Sequence, residues 1–111
     1  MIKIYTLENL HGKSDVFEFM QGDFKHVHWH ESSIFLTEEA FAFLLIPVAE
    51  VLPNFNYYGP NSVTSEQWSQ VTLKCSFFHA VDLNVIRFFN KIDKWVQKNF
   101  EEHTCFLICG P

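Results

Sequence analysis

The spacing of hydrophobic residues along the chain predicts both strands and helices. Apolar and polar residues alternate over residues 2–6, 15–20 and 24–31, and this period of two is typical of half-buried strands. A short continuation of the third strand is predicted at 34–36, and an apolar last strand at 104–109. The predicted strands therefore fall into two groups that are far apart in the sequence.

Three segments between these groups carry helix signals, at 38–52, 65–76 and 83–100. The first is apolar on nearly every side, which indicates a buried helix. Each segment follows a residue type whose side chain accepts a hydrogen bond from a free backbone N–H at a helix start. These capping residues are Thr37 for the first helix, Thr64 with Gln67 for the second, and Asp82 for the third.

The order of strands, helices and a last strand predicts an α+β fold, with an antiparallel sheet of four to five strands and three helices packed mainly on one face. Residues 54–62 are expected to form a loop that includes a brief strand at 55–58. We expect the last strand to lie beside the N-terminal strand at 2–6. Residues 1–111 form one predicted domain, because a chain of this length can bury about two-thirds of its unfolded surface.

Composition narrows the classes of function. Hydrophobic residues make up 48% of the chain and 13 residues are Phe, which excludes a disordered chain. With 13 Asp and Glu against 8 Lys and Arg, the net charge is −5, so we expect no direct binding to nucleic acid. An acidic surface suits a basic partner instead.

Cysteine content and the apolar runs bear on the location of the protein. The number of Cys residues is odd, and Cys105 and Cys109 lie too far apart along one strand for a disulfide, so free thiols and a reducing compartment are indicated. The first residues lack the basic start and long apolar stretch of a signal peptide. The longest apolar run, at 40–49, is about half the length needed to span a bilayer. We expect a cytoplasmic protein.

The most suggestive candidate for chemistry is the run His26-Val27-His28-Trp29-His30. On a strand, the three imidazoles would project from one face about 7 Å apart, close enough to converge on a metal ion. This alternative is a small metal-binding protein or metal-dependent enzyme. The other interpretations are a polar face of an exposed strand and a pH-sensitive contact with a partner. The sequence marks no carboxylate or Cys as a further ligand for these residues, so we predict no metal and no other cofactor.

No catalytic motif stands out elsewhere. Cys105 with His103 could pair a thiol with a base, but a free Cys in an apolar run is usually a buried structural residue. We therefore predict that the protein is not an enzyme, and an accessory domain without chemistry remains an alternative.

Two further surface features are expected from pairs of neighbouring residues in the sequence. The neighbouring carboxylates Glu38 and Glu39, and Glu101 and Glu102, do not face each other on a helix, so we expect them to solvate the surface. The two tyrosines at 57–58 predict an aromatic patch that packs on the core or meets another protein.

The second half of the chain resembles a known family. Its loop is FNYYGPNS, its helix start is VTSEQWSQV, its long helix ends in DKWVQKNF and its last strand is HTCFLICGP. This layout, over residues 55–111, resembles the small cytosolic immunity proteins encoded beside bacterial polymorphic toxins, including the contact-dependent growth inhibition systems. Thr64, Gln67 and Trp68 have a structural role in the helix start, so the resemblance assigns no toxin contact to them.

The resemblance implies a non-enzymatic inhibitor that binds the C-terminal domain of one cognate toxin, one to one, and blocks its active site or substrate groove. Such a toxin is often a nuclease, whose groove is basic because it holds phosphates. An acidic protein can match that charge and associate quickly. We expect no membrane partner. The candidate contacts are side chains expected outside the helical core: Glu8, Asp15, Glu18, Asp23, His28, His30 and Glu31.

Overall fold

The structure is a computed structural model that describes residues 2–23, 29–78 and 82–111. These residues form four strands, three α-helices and one short 3-10 helix. In chain order the elements are the 3-10 helix (Leu7–Asn9), β1 (Val16–Gln21), β2 (Ile34–Thr37), α1 (Glu38–Val51), β3 (Pro60–Thr64), α2 (Ser65–Phe78), α3 (Leu83–Phe100) and β4 (Cys105–Cys109). The predicted α+β class is confirmed.

The four strands form one antiparallel sheet in the order β2-β1-β4-β3. The last strand in the sequence, β4, lies in the interior of the sheet. It pairs with β1, where Cys109 lies opposite Glu18, and with β3, where Phe106 lies opposite Val63. The sheet therefore joins the early and late parts of the chain directly.

The strand predicted at 2–6 is wrong. Within this segment Tyr5 forms an isolated bridge with Phe35, through backbone hydrogen bonds of 2.9 and 2.8 Å. Ile2 and Ile4 pack against the margin of the core. Tyr5 packs against the small cluster on the opposite face, so the alternation reflects partial burial of both sides without a continuous strand partner. The neighbours of β4 are consequently β1 and β3, and not the N-terminal segment.

The alternation in β1 sets the two faces of the sheet as predicted. Phe17 and Phe19 belong to the main core on the helix-covered face, whereas Val16 and Met20 belong to separate clusters on the opposite face. The ring of Phe17 stacks on Phe41 of α1, with centroids 3.9 Å apart and planes inclined by 13°. All three helices contribute to this core, so the expected packing of helices on one face is confirmed.

Phe106 of β4 lies at the centre of the aromatic core. Its ring centroid is 5.8 Å from that of Phe19, 5.6 Å from Trp68 and 5.8 Å from Trp95. The two tryptophans meet it edge to face, the arrangement that aromatic quadrupoles favour. One side chain from the last strand thus connects β1, α2 and α3.

The predicted helix starts are confirmed by their hydrogen bonds. Thr37 Oγ1 accepts a bond from the Ala40 N–H at 3.2 Å. The Gln67 N–H donates to Thr64 Oγ1 at 3.2 Å and the Thr64 N–H donates to Gln67 Oε1 at 2.9 Å, which completes the capping box. Asp82 Oδ1 accepts from the N–H groups of the second and third residues of α3. Each cap satisfies donors that a helix start leaves free.

Two other predicted strands differ from the structure. Of the strand predicted at 24–31, residues 24–28 lie outside the described residues, and Trp29 and His30 do not belong to a strand. The brief strand predicted at 55–58 is wrong, because this segment forms turns and the strand of the region, β3, begins at Pro60.

The buried amide of Asn61 accounts for the turns before β3. Its Oδ1 accepts a bond from the Asn56 N–H at 2.7 Å, and its Nδ2 donates to the Asn56 carbonyl at 2.8 Å and the Ile108 carbonyl at 3.1 Å. The loop folds around this side chain, which fixes its backbone without any alternating pattern. In the part of the chain that the structure describes, no helix has the length and apolar character that crossing a bilayer requires.

Candidate functional site

The structure separates the predicted contact residues. Glu8 lies on the 3-10 helix, and His30 and Glu31 are exposed in the segment that precedes β2. Asp15 precedes the first residue of β1 and Asp23 is the second residue after its last, so the strand's length of roughly 17 Å lies between them. Asp15 and Asp23 therefore lie near opposite ends of β1.

Glu18 is buried, so its predicted exposure is wrong. The side chain is 5% exposed and lies on the sheet face opposite the helices. Oε1 accepts the Trp29 N–H at 3.1 Å, and Oε2 accepts the His30 N–H at 3.0 Å and the Ser33 hydroxyl at 2.8 Å. A buried carboxylate is tolerated when it is hydrogen-bonded in this way. Glu18 therefore fixes the 29–33 segment to the sheet and is not available to a partner.

The segment that Glu18 fixes also packs through Trp29. This residue has a φ of +63°, in the left-handed region that is uncommon for residues other than Gly. Its ring stacks on Phe35 of β2 with centroids 5.4 Å apart and planes inclined by 14°. The ring contact and the two N–H groups bound to Glu18 together hold this turn.

Three other carboxylates come together at one end of the sheet. Val16 of β1 pairs with Thr37 of β2, so the positions just beyond them, Asp15 and Glu38, are neighbours. Asp15, Glu38 and Glu39 line one shallow cavity of about 280 Å³. All three side chains are exposed. This juxtaposition depends on strand pairing and not on proximity in the sequence.

Two tyrosines complete this surface, which we call the acidic end: Asp15, Glu38, Glu39, Tyr57 and Tyr58. The Tyr57 hydroxyl donates to Glu38 Oε1 at 2.7 Å, and its ring meets Phe17 edge-on with centroids 4.9 Å apart. The hydrogen bond to Glu38 raises the pKa of Tyr57 to about 12, helped by burial and by the neighbouring negative charge. Tyr58 lies against Tyr57 and is 74% exposed. Tyr57 thus connects the acidic end to the core.

Backbone packing fixes the tyrosine loop. The Gly110 N–H, just after β4, donates to the Gly59 carbonyl at 3.2 Å. A Cβ at position 110 would overlap the carbonyl oxygen of Tyr57, so only Gly permits this close approach. The loop is therefore held to the sheet at the edge of the acidic end.

The carboxylates of the acidic end have no ion pair with any residue that the structure describes. The salt bridge between Lys74 and Glu50, at 3.8 Å, lies elsewhere on the helices. Lys13 lines the same cavity as Asp15, but its Nζ lies over the Tyr5 ring, 5.4 Å from the centroid. The negative charge of the acidic end is consequently left largely uncompensated.

His30 is the member of the predicted histidine site that falls within the described residues; His26 and His28 lie outside them. Its Nδ1 accepts the Ser32 backbone N–H at 3.2 Å and lies 2.8 Å from Ser32 Oγ. In a neutral imidazole this places the proton on Nε2, which then has no lone pair for a metal. Across residues 2–23, 29–78 and 82–111, no three His, Cys, Asp or Glu side chains are grouped to hold a metal ion.

The thiol of Cys105 is buried and hydrogen-bonded. Its Sγ donates to Asp23 Oδ1 at 3.0 Å, and burial followed by this bond raises the thiol pKa. A thiol held protonated is a weak nucleophile. The ring of His103 packs against Gly22, where an added Cβ would lie 2.9 Å from Nδ1. The expectation that Cys105 is a buried residue is confirmed.

Sequence reasoning missed the acidic end as a unit. The sequence places Glu38 and Glu39 on a solvated surface and the tyrosines in an aromatic patch, but it does not bring the two together. The missing information is the pairing of β1 with β2 and the loop that Asn61 fixes before β3. No local pattern of residues encodes either of these long-range contacts.

Comparison with known proteins found no matching family model, no matching curated protein and no matching solved structure.

Proposed function

We propose that this protein is a non-enzymatic immunity protein that binds the C-terminal domain of one cognate bacterial toxin, one to one, in the cytoplasm. The proposal rests on the acidic end, where three exposed carboxylates without ion pairs among the described residues adjoin two tyrosines. The resemblance of residues 55–111 to immunity proteins supports the same function.

The chemistry of the acidic end suits a cationic cleft such as that of a nuclease. A cleft that holds phosphates is lined with Lys and Arg, and exposed carboxylates can occupy it in their place. The net charge of −5 adds long-range attraction, which speeds the encounter of the two proteins. Tyr58 adds exposed aromatic area beside the carboxylates, a residue type that is enriched at protein interfaces. Inhibition then follows from covering the active site or substrate groove.

The first test of this proposal is the neighbouring gene and its product. A specific inhibitor is made beside the protein that it inhibits, so we expect an adjacent gene for a large toxin. The C-terminal domain of that toxin, inactivated by mutation, should bind this protein one to one in calorimetry. The active domain should stop arresting growth when this protein is co-expressed. If no toxin gene is adjacent, or if its domain is neither bound nor neutralised, the proposal fails.

The second test asks whether the acidic end makes the contact. The double substitution Glu38→Gln with Glu39→Gln should slow association with the toxin domain about tenfold at low salt, because two steering charges are lost. Glutamine keeps an oxygen that can accept the Tyr57 bond, so the loop should stay in place. The matched control is Glu101→Gln with Glu102→Gln, which removes the same charge beyond the end of α3.

The control substitutions should change the association rate less than twofold. Stopped-flow fluorescence at two salt concentrations measures both variants, and added salt should narrow the difference between them. Equal slowing by the two double substitutions would show that only net charge matters. The acidic end would then lose its role as the contact surface, although the inhibitor function could stand.

A further inference from the structure

A second surface of opposite charge lies between α2 and α3. The helices meet where Trp68 Nε1 donates to Asp93 Oδ1 at 2.8 Å, and the groove between them has a volume of about 480 Å³. Its floor includes the buried side chains of Trp68 and Cys75. Five residues of α3 line it, at helical spacing: Ile86, Phe89, Asn90, Asp93 and Gln97.

One rim of the groove is cationic. Four of the five lining positions of α3 are followed directly by a basic residue. These basic residues form one stripe along the helix: Arg87, Lys91, Lys94 and Lys98. These are four of the 8 Lys and Arg residues of the chain, and all four are exposed. The stripe extends over about 16 Å, or three turns of helix. The net charge of −5 therefore conceals a local concentration of positive charge.

The positive charge of this rim is not neutralised by the described part of the chain. No Asp or Glu among these residues lies within salt-bridge distance of the four side chains; the ion pair that does form joins Lys74 to Glu50. Asp93 is the acidic residue within α3, but its Oδ1 already accepts bonds from Trp68 and from Gln97, the latter at 3.2 Å. The rim is thus free to attract an anionic group.

The opposite rim is apolar. Leu73 and Phe77 follow the groove-lining residues Thr72 and Ser76 of α2 by one position, and they are 60% and 79% exposed. The helices run antiparallel, because the start of α2 lies beside the later part of α3 and both Ser76 and Ile86 line the groove. The residue after a lining position therefore turns outward on both helices, to opposite sides of the groove. The two rims, one apolar and one cationic, flank the groove together.

We propose that this groove binds an amphipathic helix of a partner protein that carries carboxylates along one side. Its apolar side chains would enter the groove and cover Leu73 and Phe77, and its carboxylates would face Arg87 and Lys94. Helices dock in grooves between helices through apolar side chains spaced three and four apart. Exposed large apolar side chains beside a charged stripe mark a protein contact rather than bare phosphate binding. This inference does not depend on toxin binding at the acidic end.

The test uses a fluorescent peptide of about 16 residues, long enough to form helix in isolation. Leu residues are spaced three and four apart, Glu residues flank them on one side and Ala fills the remaining positions. A second peptide has Lys in place of Glu, and a third has the composition of the first in an order without helical period. Fluorescence anisotropy with the full chain should give saturable binding of the first peptide, at least tenfold tighter than of either control.

Single substitutions then locate the binding surface. Lys94→Glu should weaken binding of the acidic peptide at least fivefold, and Phe77→Ser should weaken it about as much. Lys13→Glu makes the same charge change outside the groove and should have less than a twofold effect. All three positions are exposed, and circular dichroism with urea unfolding checks that each variant is folded.

Three results would overturn the inference. The first is an absence of saturable binding by the acidic peptide, and the second is equal binding by the lysine peptide. The third is an equal effect of Lys13→Glu and Lys94→Glu. A single-stranded oligonucleotide that binds more tightly than the acidic peptide, and loses binding with Lys94→Glu, would also reject the peptide helix and assign the cationic rim to nucleic acid.

Discussion

Both faces of the sheet are buried along β1, β2 and β4, whereas the edge strand β3 buries one face only. Different parts of the chain contribute to the two buried faces. On one face, three helices surround a continuous core that includes Phe17, Phe19 and Phe106. On the other face the buried apolar side chains fall into two small clusters, and a buried carboxylate lies on the same face. These clusters are Leu10, Val16 and Phe35, and Met20, Leu107 and Cys109. Alternation along a strand predicts which side chains share a face of the sheet. It does not predict which part of the chain covers that face.

The largest expected effect tests whether the helix-covered face dominates stability. Phe106 and Leu107 are adjacent in β4 and face opposite sides. Phe106→Ala should lower the free energy of unfolding by about 4 kcal/mol, because it removes a ring that contacts three elements. Leu107→Ala should cost about 2 kcal/mol, at the low end for a buried Leu, because its cluster is small. Urea unfolding of both variants measures the difference.

Equal losses of stability in these two variants would contradict the comparison. They would show that the cover opposite the helices contributes as much to stability as the aromatic core. A larger loss for Leu107→Ala would reverse the order of the two faces.

The next prediction concerns Glu18, the buried carboxylate on the sheet face opposite the helices. Glu18→Ala should lower the free energy of unfolding by about 3 kcal/mol, because it leaves the donors of Trp29, His30 and Ser33 without their acceptor. Glu18→Gln keeps one acceptor oxygen and the side-chain volume, so about 1 kcal/mol is expected. Hydrogen exchange should show faster exchange of the Trp29 and His30 amides in both variants. Unchanged exchange at these two amides would exclude the proposed role of Glu18.

The contrast between the faces also marks how far the sequence predicts the structure. The helix-covered face follows from alternation in β1, the caps at Thr37, Thr64 and Asp82, and the apolar spacing of α3, because each of these signals is local. The second face depends on one carboxylate that binds backbone N–H groups more than ten residues away along the chain. No periodic pattern in the sequence connects a side chain to backbone N–H groups at such a distance. The sequence alone therefore identifies Glu18 as an exposed acid.

The same limit applies to the candidate surfaces. The acidic end needs the pairing of β1 with β2, which brings Asp15 beside Glu38. The cationic rim is visible in the sequence as a spacing of four, three and four in α3, but its groove requires the position of α2. Overall charge suggested an acidic protein and concealed both surfaces, because charge sums carry no information on location.

A smaller effect is expected on the free energy of unfolding under alkaline conditions. It compares the contributions of two thiols, one from each face of the sheet. Burial raises the pKa of Cys75, on the helix-covered side, to about 11, and burial with the charge of Glu18 raises that of Cys109 to about 11. The ordinary value is 9.0. Between these values the unfolded chain releases thiol protons that the folded chain retains, so the free energy of unfolding should fall as pH rises.

Cys75→Ala and Cys109→Ala should each make this fall with pH less steep, and by similar amounts. Urea unfolding across the alkaline range measures the slope, with each variant compared with the wild-type chain. A slope that changes in one variant only would show that the two thiols are not equally shielded in the folded state.

The smallest expected effect asks whether the two faces open independently. Cys109 of β4 lies opposite Glu18 of β1 in the sheet, whereas Cys75 lies in α2. Glu18→Gln should raise the rate of Cys109 alkylation by iodoacetamide several-fold, because it loosens the cover of that face and removes a charge that opposes thiolate formation. The alkylation rate of Cys75, measured in the same sample by mass spectrometry, should rise less than that of Cys109. If both rates rise by the same factor, Glu18 stabilises the domain only as a whole, and the two faces unfold as one cooperative unit in spite of their different covers.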